Sequence, residues 1–157
     1  MRAAEPEPPV TSLAALPPLP SPAALRLGYA GLLPFMIGAA AAWFGPPAWH
    51  ATALAVLAGY AAVIASFLGG IHWGFAMRGG TPVASLAGWG VLPSLVAWVA
   101  LSMPARAGLA LLGAALLACW WVDRRVYPAQ GAAAWLGLRT RLSAVATLAC
   151  WAGSAAA

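Results

Sequence analysis

The chain has 157 residues, of which 63% are hydrophobic and 7% charged, with a net charge of +5. A soluble domain carries about a quarter charged residues, so this composition excludes a water-soluble globule and makes the lipid bilayer the first partner. All eight basic residues are arginines at the ends of apolar runs, where lipid phosphates and topology account for them, and nucleic acid is not implied.

Residues 1–25 hold seven of the fourteen prolines and both glutamates. Repeated proline removes backbone donors and blocks helix, which predicts a disordered, Pro-rich tail. Prolines interrupt any secretory apolar core, and one arginine against two acids makes a poor mitochondrial presequence.

Five apolar stretches follow, at about residues 26–44, 50–77, 83–103, 107–122 and 138–156. They are continuous runs rich in Ala and Leu rather than short alternations, so the expectation is an all-α integral membrane bundle, not a barrel. The second stretch would reach about 40 Å as a helix, beyond the roughly 30 Å lipid core, and should tilt or project. One compact bundle fills the chain, with no room for a second domain.

Arginine counting supplies an orientation. Arg2, Arg26, Arg78, Arg124, Arg125, Arg139 and Arg141 collect on one side, and Arg106 alone on the other. The positive-inside rule then puts the N-terminus in the cytoplasm and the C-terminus in the periplasm. Eight of the nine tryptophans fit two interfacial belts, and Trp89 is interior.

Metal and haem chemistry find little support. Cys119 and Cys150 fall at different depths, beyond disulfide reach, and no Cys/His cluster appears. His50 and His72 lie on one helix about 33 Å apart by rise, so one chain cannot clamp a haem between them.

The second span carries the densest motif, Ser66-Phe67-Leu68-Gly69-Gly70-Ile71-His72-Trp73-Gly74. Ser66, Gly70 and Gly74 recur every four residues, and together with Gly69 they read as a small-residue packing seam. On that reading Gly70→Leu should harm the bundle more than Leu68→Ala.

The same run resembles the core motif of an uncharacterised membrane family, domain of unknown function 3429. Leu27-Gly28-Tyr29-Ala30-Gly31-Leu32-Leu33-Pro34-Phe35, Gly88-Trp89-Gly90-Val91-Leu92-Pro93-Ser94, Trp121-Val122-Asp123 and Leu138-Arg139-Thr140-Arg141-Leu142 extend the resemblance. It implies a small multi-helix protein of bacterial or mitochondrial inner membranes, related to transmembrane protein 69 of animal mitochondria. It brings no assigned activity and no catalytic residues.

One polar constellation remains. Asp123 is the one carboxylate beyond residue 7. It should lie level with His72, Trp73, Arg78 and Trp89, and with Arg139 and Arg141, which are about 200° apart on their helix and cannot both face it. These residues form the candidate ligand-binding set. The plain account pairs Asp123 with an arginine and gives His72 one interhelical hydrogen bond. Sharper accounts place a quinone headgroup, tetrapyrrole or lipid phosphate there, or a proton-coupled path.

No Ser/His/Asp set, metal cluster or phosphate loop appears, so an enzyme is the weakest reading and the cofactor stays unknown. A non-enzymatic structural or assembly partner in a bacterial inner membrane, meeting other subunits or itself, stands first. A binder or carrier of a small hydrophobic or anionic ligand is the alternative.

Overall fold

The structure, a computed structural model, describes residues 19–78 and 83–157. Its elements are α1 (Pro22–Ala30), α2 (Leu33–Phe44), α3 (His50–Met77), α4 (Val83–Leu101), α5 (Ala105–Ala129) and α6 (Leu136–Ala156), with short 3-10 turns before α3 and α6. α1 and α2 make one broken rod, so five rods run up and down. Four rods, Pro22–Phe44, Pro47–Met77, Ala84–Leu101 and Ala105–Ala129, are long and apolar enough to cross a membrane.

The first rod begins at Pro22, inside the stretch read as tail. The Ser21 hydroxyl accepts from the Ala24 amide at 3.2 Å, and a proline in the first turn loses no helical bond. The rest of the expected tail, residues 1–18, lies outside the described residues. The rod breaks at Gly31 and Leu32 because Pro34 has no amide to give the Ala30 carbonyl. The interrupted backbone is satisfied from α3, where the Tyr60 hydroxyl donates to the Gly31 carbonyl at 2.9 Å. Phe35, 1% exposed, locks the restart against the Tyr60 ring, 5.0 Å between centroids.

α3 is the central rod, packing against α2, α4, α5 and α6. Leu57, Ala61 and Ala65 on its inward faces are fully buried. α5 runs beyond its expected end, through Asp123 to Ala129. Asp123 points inward, so its charge does not halt the helix. The chain turns only after Gln130, at Gly131 with φ 70°, a left-handed conformation that glycine adopts without strain.

α6 differs from the other rods. Arg139, Ser143 and Thr147, spaced four apart, are all buried. These three side chains form an inward polar stripe, while Thr140, Arg141 and Leu148 are exposed.

Of the four residues expected in the packing seam, Gly69 makes the close contact between helices. A Cβ added at Gly69 would lie 2.2 Å from the Gly90 carbonyl oxygen, so α3 and α4 cross there with their backbones touching. Ser66 instead bonds its own helix, at the Ala62 carbonyl. Gly70 and Gly74 meet nothing within 4 Å. The expected ranking of substitutions reverses, since Leu68 is 4% exposed and belongs to the core while Gly70 has room. Four-residue spacing identifies a face; it does not say which face meets a neighbour.

Candidate functional site

Three ionisable side chains meet inside the bundle at its arginine-rich end. Asp123, 1% exposed, comes from α5; His72, equally buried, from α3; and Arg139, 8% exposed, from α6. The Arg139 Nε donates to Asp123 Oδ2 at 2.8 Å, and a terminal guanidinium nitrogen donates to the same oxygen. His72 Nε2 stands 3.4 Å from Asp123 Oδ1. That approach is close but not aligned, and neither atom makes a hydrogen bond. The aligned contact of His72 is Nδ1 to the Leu68 carbonyl of its own helix, at 3.3 Å, and a carbonyl there requires Nδ1 to carry the proton. The Asp123–Arg139 pair itself has no net charge, the arrangement an apolar interior tolerates best.

Aromatic rings close the cluster. Trp89 and Phe75 set their rings edge-on to His72 at 6.5 and 6.1 Å, and Phe75 in turn meets Tyr127 at 5.4 Å. The Tyr127 hydroxyl interacts with Arg139.

The remaining predicted residues lie outside this cluster. Arg78 is exposed, stacks over the Phe75 ring at 5.0 Å and donates to the Gln130 carbonyl at 3.2 Å. Arg141 turns the other way and donates to the Tyr29 hydroxyl at 3.1 Å. Trp73 is 40% exposed, and its ring covers the backbone at Gly90. Thus Asp123 selects Arg139 of the two candidates on α6. The bond expected from His72 to another helix is instead one within α3.

His72, Trp89 and Asp123 pack together, and a cavity of about 360 Å³ lies beside them, lined from α1, α2, α3, α5 and α6. Of the predicted ligand set, Arg139 alone reaches both the cluster and the cavity wall. The wall is otherwise mostly apolar, with Leu27, Phe35, Ile64 and Phe67 among its residues. Leu27 is 75% and Phe67 64% exposed, so the cavity opens sideways, toward lipid. Ser143 lies on the wall one turn from Arg139, and its buried hydroxyl has no hydrogen-bond partner.

Sequence reasoning passed over Ser143 and Tyr127. The spacing of Arg139, Ser143 and Thr147 was the available signal for Ser143, since residues four apart share a helix face. Tyr127 sits one turn beyond Asp123 on the same grounds. Among the described residues no group of three His, Cys, Asp or Glu side chains could hold a metal ion, and both cysteines are free and buried.

Fold and site together define an all-helical membrane bundle with a buried ion pair beside a lateral cleft. The chain belongs to the family described as Protein of unknown function (DUF3429), which matches residues 20–155. No curated protein and no solved structure matches it.

Proposed function

We propose that this is a non-enzymatic protein of a bacterial inner membrane that holds a small amphipathic molecule in the cleft between its first, second and fifth rods. One observation carries the reading: the apolar cavity, open to lipid, has a buried hydroxyl and a guanidinium on its wall. Ligand pockets have this composition, mostly apolar with a few placed polar groups, and volumes from about 300 Å³ upward. Gentle solubilisation followed by native mass spectrometry tests it. The parent should carry a stoichiometric small-molecule adduct, and Ser143→Leu, which fills the cavity, should lose the adduct at an unchanged melting temperature. A parent that never carries an adduct, from membranes or after incubation with a lipid extract, overturns the reading.

A second reading, a structural or assembly partner, draws support from Ser66, Gly70 and Gly74. The two glycines have open space beside them, a surface on which a helix of another subunit could approach closely. A stoichiometric protein companion in the same spectra, lost with Gly70→Leu, would favour it.

The orientation is likewise proposed from charge. Among the described residues Arg26, Arg78, Arg124, Arg125, Arg139 and Arg141 lie toward one end of the bundle and Arg106 toward the other, so the arginine-rich end faces the cytoplasm. A reporter fused after Ala157 should therefore be active as a periplasmic phosphatase. Cytoplasmic activity at that junction would invert the whole bundle.

A further inference from the structure

We infer, resting on the cleft reading above, that the cleft selects an uncharged headgroup that only accepts hydrogen bonds, of the ketone or quinone type, on an apolar chain. The first support is the Ser143 hydroxyl. Ser66, Ser102 and Thr140, also in or at the ends of helices, each turn their hydroxyl back to the carbonyl four residues earlier, the usual resort of a helical hydroxyl in an apolar setting. Ser143 is 4% exposed and makes no such bond. A buried hydroxyl left without a partner is costly, and the cavity it lines is where a partner would sit.

The second support is the state of Arg139. Its Nε and one terminal nitrogen are committed to Asp123 Oδ2, yet the side chain keeps 10% of its surface accessible and lines the same cavity. Guanidinium nitrogens can only donate. The polar wall of the cleft thus offers a guanidinium that can only donate and a hydroxyl whose proton is uncommitted, and an acceptor headgroup satisfies both.

Charge decides between a neutral acceptor and an anion. Arg139 and Asp123 cancel, and His72 packs against Asp123 without lining the cavity. A carboxylate or phosphate entering the cleft would surrender its hydration and gain no uncompensated positive charge in return. A carbonyl gives up far less. The apolar wall formed by Leu27, Phe35, Ile64 and Phe67 suits a hydrocarbon chain entering from the bilayer.

The test uses the full chain in detergent micelles and follows quenching of tryptophan fluorescence, since Trp135 lines the cavity. The titrant is 2-decyl-1,4-benzoquinone, and decyl phosphate is the anionic competitor of equal chain length. Saturable quenching is expected, decyl phosphate should compete at least tenfold more weakly, and Ser143→Ala should weaken the quinone roughly three- to tenfold, the worth of one hydrogen bond. Ser143→Thr, which restores a hydroxyl, should bind nearly as the parent. Decyl phosphate competing as strongly as the quinone binds, or a Ser143→Ala protein of parental affinity, overturns the headgroup assignment while the cleft stands as a binding site. Absence of saturable binding by either compound overturns both.

Discussion

Asp123→Asn is expected to lower the stability of the folded bundle by roughly 3–5 kcal/mol, the usual cost of removing one partner from a buried ion pair. The damage comes less from the lost attraction than from what is left behind. The Arg139 side chain is 10% exposed, and no second side-chain carboxylate lies in the membrane domain to pair with it. The measurement is the fraction of monodisperse protein surviving a heating series in detergent, read by gel filtration. Two companion variants make the result specific. Asp123→Asn combined with Arg139→Gln should recover part of the loss, since two neutral amides strand no charge. His72→Gln should cost about 0.5–1.5 kcal/mol, because the aligned bond of His72 is a single one to a carbonyl in its own helix. An Asp123→Asn protein as heat-resistant as the parent would mean that the ion pair contributes nothing to folding.

Gly69→Ala should be the most damaging of the single-methyl additions in the central helix. The added carbon would sit 2.2 Å from the Gly90 carbonyl oxygen, and the obstacle is backbone, which cannot swing aside as a side-chain tip does. α3 and α4 must separate at their crossing, where Pro93 also packs. Overpacking of this kind costs about 1–3 kcal/mol. Gly70→Ala, the next residue along, adds its methyl to open space and should stay within about 0.5 kcal/mol of the parent. Leu68→Ala removes buried methyl groups and should cost about 2–5 kcal/mol. Apparent melting temperatures of the three variants rank these effects. Equal values for Gly69→Ala and Gly70→Ala would rule out the close crossing.

What could be read in advance divides by physical scale. Long runs of Ala, Leu and Val need a bilayer and a helix whatever surrounds them, so five rods follow from the sequence alone, though not every end, since α5 continues past Asp123 to Ala129. Asp123, a lone acid among arginines, had to find one of them. The choice of Arg139 over Arg141 was legible as an exclusion only, since the rotation of α6 depends on which face its neighbours cover. The seam was legible only in part for the same reason. Ser66, Gly70 and Gly74 announce a shared face, whereas Gly69 becomes important only because Gly90 of another helix stands opposite. The cleft was hidden more deeply. It exists because Pro34 and Gly31 break the first rod, and a hollow between helices has no residues of its own to announce it. Ser143 alone, four positions from Arg139, marked its wall.

That break also distributes stability unevenly along the first rod. α2 buries Phe35, Gly38 and Ala42, whereas α1 buries no residue at all and leans mainly on α6. Free energies of local opening follow buried contact, from near zero for fraying segments to the global value for core helices. α1 is accordingly the part of the membrane domain that comes away at the lowest cost, while the Tyr60 bond to Gly31 holds the hinge in place. Because α1 also forms one side of the cleft, a molecule held there as proposed would exchange with the surrounding lipid by way of the loosest helix of the fold, leaving the ion pair undisturbed.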